Sequence, residues 1–174
     1  MLVNLPLTRD NASKIPTLKY RLYLAELADV DIENWPAPVK ATISEDVLLV
    51  GKTYKYLDCK INSINPNAGP GESPLTGKLT LSPIIDGITP DSLSWLYTNM
   101  GNDVIAVWER CQDGQQFIGG SPCSGGLKIK LTSVGTLDGG MLGISLTLEG
   151  GDCPEPFYFY NGPLTVAEDP VPQT

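Results

Sequence analysis

The chain has 174 residues, of which 41% are hydrophobic, and a formal net charge of −8 with a pI near 4.4. This length suits one domain with a sizeable core, and the ordinary apolar content argues against wholesale disorder. The excess of acidic residues argues against tight nucleic-acid binding, because such binding gains its energy when Lys and Arg neutralise phosphates.

The distribution of glycine and proline indicates the fold class. The 18 glycines and 15 prolines lie mainly between apolar runs, which is typical of a β-protein with many turns. We therefore predict a mainly β fold, an antiparallel β-sandwich or barrel with one short α-helix packed across it. We divide the chain into an N-terminal arm at 1–17, a single β-domain at 18–166 and a C-terminal tail at 167–174.

The first strands are predicted by alternation of apolar and polar residues. Three such runs occupy residues 19–26, 54–64 and 76–85. We expect the second and third to pair as a hairpin, with Leu57, Cys59 and Ile61 facing Leu79 and Leu81. Trp35 lies in an acidic, proline-rich loop before them.

The segment between those two runs is unusually long for a hairpin connection. Asn65 to Pro74 reads N-P-N-A-G-P-G-E-S-P, whereas about two to five residues suffice for a turn. It holds no apolar anchor larger than Ala68 that could fold back on the core, so we expect a mobile tip or a segment ordered by a neighbour. Its candidate subunit-interface residues are Asn65, Pro66, Asn67, Gly69, Pro70 and Glu72.

One stretch predicts a helix that leads directly into a strand. Thr89 can cap the helix, Pro90 suits its first position, and Gly101 can adopt the left-handed conformation that ends it. The expected apolar stripe consists of Leu93, Leu96, Tyr97 and Met100.

The following run, Val104 to Trp108, is apolar on both faces. It predicts a strand buried on both sides, or one that leaves a sheet to join a contact. The second interpretation makes four of its residues candidates for a subunit interface: Val104, Ile105, Val107 and Trp108. Asp113-Gly114 then predicts a hairpin turn, and the glycine-rich segment 119–126 predicts a flexible bend.

The clearest hairpin signal lies in the last third of the chain, where Leu127 to Leu131 and Leu142 to Leu148 alternate around Asp138-Gly-Gly. No Lys or Arg occurs from Leu131 onward. If the acidic residues of this part, among them Asp138, Glu149, Asp152 and Glu155, share a face, that face is strongly negative. The alternative is an ordinary solvated acidic surface.

Features of an enzyme are missing from the sequence. The chain has no histidine, which removes the commonest general base, and most acidic residues fall in turns. Asp58 and Glu109 are the only acids inside apolar strand runs, and we expect both at solvent-facing positions. We therefore expect no enzymatic activity, no catalytic residue, no cofactor and no metal site.

The four cysteines are Cys59, Cys111, Cys123 and Cys153, and none forms a C-x-x-C pair. We expect free thiols packed as small hydrophobic groups, with a Cys111–Cys123 or Cys123–Cys153 disulfide as the alternative in an oxidising medium. The sequence also shows no apolar stretch of membrane-spanning length and no signal-peptide pattern, so we expect a protein made in a reducing cytoplasm without membrane contact.

The order of elements resembles the major tail (tube) proteins of tailed bacteriophages. Most of the resemblance is carried by G-I-T-P-D-S-L-S-W-L-Y-T-N-M-G-N-D-V-I-A-V-W, with Gly77 to Leu81 before it and the Leu127–Leu148 hairpin after it. It covers roughly two-thirds of the chain and is a resemblance of pattern, because that family has no diagnostic short motif.

The resemblance implies a self-assembling virion structural protein. Such proteins form hexameric rings that stack into a tube, through which DNA passes without specific binding. An acidic lining would repel the DNA weakly, and the resemblance makes Asp138, Glu149, Asp152 and Glu155 the candidates for it. It further implies other virion proteins as partners and a virion localisation after assembly in the bacterial host cytoplasm. A neck or head-completion ring protein would fit the same pattern. The alternative class is a β-sandwich binding module for a glycan or protein partner, for which Trp35 is the exposed aromatic candidate.

Overall fold

The computed structural model describes residues 2–4, 18–137 and 139–169, and its fold is mainly β, as predicted. Within these residues eleven strands join one sheet, and a single α-helix packs on it. The elements are, in chain order, β1 (Arg21–Glu26), β2 (Thr42–Ile43), β3 (Lys55–Asp58), β4 (Asn67–Pro70), β5 (Gly77–Leu81), β6 (Ile84–Asp86), α1 (Pro90–Asn99), β7 (Asp103–Glu109), β8 (Gln116–Gly119), β9 (Leu127–Leu137), β10 (Met141–Gly150) and β11 (Phe157–Tyr160).

The sheet is organised around β7. Its main path runs β2-β11-β8-β7-β9-β10-β5-β4, while β1 pairs with β7 and carries β3, and β6 pairs with β10. Every pairing between these strands is antiparallel except that of β11 with β2. The predicted hairpins β7–β8 and β9–β10 are therefore confirmed, as is the first strand.

The alternating side chains of β7 contribute to two separate cores. Val104, Ala106 and Trp108 join the larger cluster, which also contains side chains of β1, β5, β9, β10 and α1, and which we call the first core. Ile105 and Val107 point to the opposite face and join a second core with Tyr54, Tyr158 and Tyr160 among others. A strand buried on both faces needs apolar residues at successive positions, which explains the unbroken apolar run.

The helix begins and ends where the sequence predicts. The Thr89 hydroxyl accepts a hydrogen bond from the Ser92 N–H at 3.1 Å, and the Ser92 hydroxyl accepts one from the Thr89 N–H at 2.9 Å, which forms a reciprocal capping box. Gly101 follows with φ +89°, in the left-handed region. No helix in the described part of the chain is long and apolar enough to cross a membrane.

The buried face of α1 differs from the predicted stripe. Tyr97 and Met100 are exposed, and the buried helical residues are Ser92, Trp95, Leu96 and Asn99. Two polar side chains can face the core because both bond to nearby backbone: Asn99 Nδ2, for example, donates to the Trp95 carbonyl at 2.8 Å. The Trp95 indole N–H also donates to the Val3 carbonyl at 3.0 Å.

The predicted hairpin of residues 54–64 with 76–85 is wrong. β3 pairs with β1, where Leu57 stands opposite Leu22, while β5 pairs with β4 and β10. Leu57 and Leu79 nevertheless both belong to the first core. The apolar residues of these runs thus contribute to the core, but their pattern carries no information about strand order, and burial in β3 does not alternate.

The described ends of the chain lie together on β3. The Tyr56 N–H donates to Asn4 Oδ1 at 3.0 Å, and Asn4 Nδ2 donates to the Ala167 carbonyl at 3.1 Å. Leu2 is buried in the first core. The remainder of the predicted N-terminal arm and residues 170–174 of the predicted tail lie outside the described residues.

Candidate assembly surface

The β9–β10 hairpin extends past the core that its base helps to form. Leu131, Val134 and Leu142 are 41%, 41% and 56% exposed. Leu131 stands opposite Leu146 and Val134 opposite Ile144, and both partners are buried in the first core. Directly opposite side chains share a face of the sheet, so the exposed apolar residues continue the core-facing side of the hairpin beyond the core itself. We call Leu131, Val134 and Leu142 the hairpin face.

A β-bulge places the hairpin face on one side. The register pairs Ser145 with Ser133 but Leu146 with Leu131, so Thr132 is an extra residue on β9. In a regular strand, positions 131 and 134 would point to opposite faces, because their spacing is odd. The bulge reverses the alternation after Thr132 and brings Val134 to the same side as Leu131.

β9 also presents a free backbone edge over most of its length. On the side away from β10, Leu127 and Lys128 pair with β7, and Ile129 exchanges backbone hydrogen bonds with Gly101 and Asn102. From residue 131 to residue 137, no strand of the described chain pairs with this side. This stretch, L-T-S-V-G-T-L, has neither a charge nor a proline. Such an edge is a template on which another strand can pair.

Other edges of the sheet carry protection that β9 lacks. β2 has two residues, and β4 ends at Pro70, which has no N–H to donate. β3 is covered by Asn4, and the preceding Tyr54 exchanges backbone hydrogen bonds with Thr165 and Ala167. Short strands, proline and covering segments are the usual means by which proteins prevent pairing of sheet edges.

The opposite face of the hairpin is polar and its charges are paired. Lys130 Nζ lies 2.6 Å from Glu149 Oε2, and Lys128 Nζ lies 3.0 Å from Asp103 Oδ1. The hydrogen bond from Lys130 lowers the pKa of the Glu149 carboxyl below its ordinary value. The hairpin is thus amphipathic, with ion pairs on its solvent face and apolar side chains on the exposed part of its other face.

The long segment after β3 is ordered within this chain. Residues 67–70 form β4, and the turn that follows is held by Asp152, whose carboxylate accepts hydrogen bonds from the Glu72 N–H at 3.2 Å and the Thr76 hydroxyl at 2.8 Å. A Cβ on Gly71 would lie 1.8 Å from Asp152 Oδ1, so only glycine allows this approach.

The expectation of a mobile tip or of ordering by a neighbouring molecule is therefore corrected for this segment, because contacts from residue 152 supply the order. Its candidate interface residues are nevertheless at the surface: Asn65, Asn67, Pro70 and Glu72 are exposed, and Pro66 and Gly69 are half-buried. Their role in a subunit contact stays a prediction.

The prediction that four residues of β7 form a subunit interface is wrong, because all four are buried. Val104, Ile105, Val107 and Trp108 are at most 2% exposed. Both edges of β7 are also occupied, by β1 on one side and by β8 and β9 on the other. These residues are the centre of the monomer and have no surface to offer a second subunit.

The proposed acidic lining does not form one uncompensated patch. Glu149 is paired with Lys130, and Asp152 holds the β4–β5 turn, while Glu155 is exposed in the same β10–β11 loop as Asp152. Asp138 lies outside the described residues. The assignment of these acids to a lining stays a prediction, and local contacts already account for Glu149 and Asp152.

Aromatic rings of β7, β8 and β11 lie side by side in a row that the sequence does not predict. Phe117 lies 5.0 Å from Phe159 and 6.0 Å from Trp108, measured between ring centroids, and Phe157 lies 6.0 Å from Trp108. Phe157 and Phe159 are more than one-third exposed. Trp35, by contrast, is half-buried and packs against the second core, which removes the flat exposed platform expected of it.

The two acids inside strand runs are buried, which corrects the expectation that they face solvent. Asp58 is 3% exposed and accepts two hydrogen bonds from the Arg21 guanidinium, at 2.7 and 3.1 Å. Glu109 is 9% exposed and contacts Lys19 Nζ at 2.7 Å and Gln116 Nε2 at 2.8 Å. These contacts give both acids structural roles.

Two cavities lie close to the elements described above. A hollow of about 400 Å³ is lined by Glu26, Leu27, Ala28, Ile32, Asn102 and Asp103. A second, of about 270 Å³, lies beside the hairpin and β6, with Thr132, Ser133 and Thr136 in its wall. In the part of the chain that the structure describes, no three Cys, Asp or Glu side chains are grouped so as to hold a metal ion.

Comparison of the chain with protein-family models, with curated proteins and with solved structures finds no significant match.

Proposed function

We propose that this protein is a self-assembling structural subunit that joins copies of itself through the β9–β10 hairpin. The observation that carries the proposal is the coincidence, in residues 131–137, of a free strand edge with the exposed apolar hairpin face. Either feature alone favours association, and together they supply both backbone pairing and apolar burial to one partner.

The particular assembly that the sequence resemblance suggests is a phage tail tube, with a neck or head-completion ring as the nearest alternative. The mainly β fold with one helix agrees with that class of subunit. The net charge of −8 supports a conduit that does not retain DNA, because like charges repel weakly at physiological ionic strength.

The proposal is tested by measuring the mass distribution of the purified protein across a concentration series, with electron micrographs of the same samples. Rings or stacked tubes that grow with concentration are expected. A protein that stays monomeric at every concentration would contradict self-assembly of the isolated chain.

A matched pair of variants tests whether the hairpin face forms the contact between copies of the chain. Val134→Lys introduces a charge on the hairpin face and is expected to shift assembly to at least about tenfold higher concentration, because the Lys ammonium would be desolvated in the contact. Val50→Lys makes the same chemical change at a fully exposed position between β2 and β3 and should assemble as the unaltered protein does. Equal assembly of the two variants would show that the hairpin is not the contact.

A binding module is the second candidate, favoured by the partly exposed row of Phe117, Phe157 and Phe159. Aromatic rings with exposed faces recur in partner-binding surfaces. If the protein is a monomer and a ligand is found, Phe159→Ala should weaken its binding at least tenfold, and Trp35→Ala should leave it unchanged. The reverse pattern would restore the Trp35 platform predicted from the sequence.

A further inference from the structure

The bend between β8 and β9 brings two cysteines together. Cys123 lies in a 3₁₀ turn, Pro122–Ser124, and is exposed, while Cys153 is buried in the β10–β11 loop. In the described structure all four cysteines are free thiols.

Contacts on both sides of Cys123 fix this turn against the β10–β11 loop. The Ser121 hydroxyl lies 3.9 Å from the Cys153 sulfur, and the Gly151 N–H donates to the Ser124 carbonyl at 3.1 Å. Residues on both sides of Cys123 therefore touch Cys153 and Gly151, which places Cys123 beside the β10–β11 loop. Gly125 and Gly126 take φ of +71° and +81°, which lets the chain turn back sharply after Cys123.

Cys153 itself is rigidly held. Its N–H donates to the Gly77 carbonyl at 3.0 Å, and its carbonyl accepts from the Gly77 N–H at 2.8 Å. A link from Cys123 to Cys153 would therefore connect the β8–β9 bend to the start of β5, and through Asp152 to the β4–β5 turn.

We propose that Cys123 and Cys153 are a redox-active dithiol that closes to an intramolecular disulfide when it meets a low-molecular-weight disulfide. The Cys123 thiolate attacks one sulfur of the oxidant and releases one small thiol. The Cys153 thiolate then attacks the Cys123 sulfur and releases the second small thiol. Two protein thiols are oxidised, one small disulfide is reduced to two thiols, and the two protons pass to the released thiols.

The exposed member of the pair is the one that starts the exchange, because Cys153 is buried and the oxidant cannot reach it. The neighbouring Cys153 thiol and burial raise the pKa of Cys123 to about 11, and the Glu155 charge acts in the same direction. The exchange is accordingly slow at neutral pH and accelerates as the solution approaches that pKa.

The positions of the cysteines favour a Cys123–Cys153 bond over the Cys111–Cys123 bond that the sequence also allows. Cys111 lies in the four-residue turn between Arg110 and Gln115 that joins β7 to β8, at the opposite end of β8 from the β8–β9 bend. Cys59 is fully buried in the first core, where burial raises the pKa of its thiol.

The test uses the full chain, reduced, freed of reductant, and treated with oxidised glutathione at about pH 8.5, near the ordinary pKa of a cysteine. Intact-mass and peptide mass spectrometry are expected to show the loss of two hydrogen atoms and a peptide pair joined through Cys123 and Cys153. The thermal midpoint should rise by about 10 °C, because the bond closes a loop of about 30 residues.

Two variants separate the outcomes. Cys111→Ser should still form the bond and show the thermal shift, whereas Cys123→Ser, altered at an exposed position, should show neither. A stable mixed disulfide of glutathione on Cys123 without an internal bond would overturn the proposal, as would a Cys111–Cys123 bond. The unaltered stability of reduced Cys123→Ser, measured in parallel, confirms that the variant is folded. This test is independent of whether the protein assembles.

Discussion

At the residue scale, burial decides how much an ion pair matters. The Arg21–Asp58 pair sits with its carboxylate almost fully buried and with the guanidinium 3.8 Å from the centroid of the Tyr56 ring. The Lys130–Glu149 pair has a similar contact distance, but both side chains are at least 40% exposed. Breaking the Arg21–Asp58 pair leaves a carboxylate that is shielded from water, whereas breaking the Lys130–Glu149 pair leaves one that water can reach. The first pair is therefore expected to contribute more to the free energy of unfolding.

We predict that Arg21→Met lowers the free energy of unfolding by about 3 kcal/mol, since it leaves the Asp58 carboxylate buried without its cation. Lys130→Ala is the control and should cost less than about 1 kcal/mol, because water can solvate Glu149. Urea unfolding of both variants at pH 7 makes the comparison. Similar losses for the two would contradict this account of the buried pair.

The tyrosines of the second core predict loss of stability at alkaline pH. Burial raises the pKa of Tyr160 to about 12, whereas an unfolded tyrosine titrates near pH 10. Between those values the unfolded state binds fewer protons than the folded state, so stability falls as pH rises. The contribution is complete below about pH 10 and is lost as the pH passes about 12.

Tyr160→Phe should therefore unfold with a shallower dependence on pH between about 10 and 12. At pH 7 it should be about 1 kcal/mol less stable, because the Tyr160 hydroxyl donates to the Pro163 carbonyl at 2.8 Å. Tyr97→Phe, at an exposed position of α1, should follow the unaltered protein at every pH. Denaturant unfolding at a series of alkaline pH values measures both, and an unchanged slope for Tyr160→Phe would be the contrary result.

At the scale of elements, sequence signals that act within a few residues predict where an element begins and ends. They do not predict which of its residues are buried against the rest of the chain. The capping residue Thr89 and the terminating Gly101 act within a few residues, so the sequence could predict both ends of α1. The buried face of α1 could not be predicted, because Ser92 and Asn99 satisfy their polar groups with backbone partners and take core positions that apolar periodicity assigns to other residues.

The helix cap itself is testable. Thr89→Ala removes the hydroxyl that accepts from Ser92 and should cost about 1 kcal/mol of unfolding free energy. Thr98→Ala makes the same change at an exposed position inside α1, where alanine has the higher helix propensity, and should be neutral or slightly stabilising. Thermal unfolding of the two variants distinguishes loss of the cap from a general effect of replacing threonine by alanine in the helix. A similar loss of stability in both variants would argue against the capping role of Thr89.

Two features of the candidate surface depend on contacts distant in sequence. The order of residues 71–76 comes from Asp152, about eighty positions later, so no local pattern could reveal it. The hairpin face depends on the bulge at Thr132, which reverses the alternation that identified β9. The sequence could predict the β9–β10 hairpin and the exposure of the β4–β5 turn, but the free edge became visible only once the neighbours of β9 were known.

At the scale of the whole molecule, the free edge and the hairpin face describe a monomer whose sheet is incomplete. β7 lies at the centre with both faces covered, and β9 leaves this centre after Ile129 to reach beyond the cores. We propose that residues 131–137 of β9 pair with a second copy of the chain and so extend the sheet.

Backbone amide hydrogen exchange, measured as a function of protein concentration, tests this claim most directly. At low concentration those amides of residues 131–137 that point away from β10 should exchange faster than the Ile129 amide, which donates to the Asn102 carbonyl within the monomer. As the mass of the assembly increases, the amides on the free side of β9 should become protected by at least about tenfold. An assembly that forms while these amides keep exchanging at their monomer rate would contradict the account.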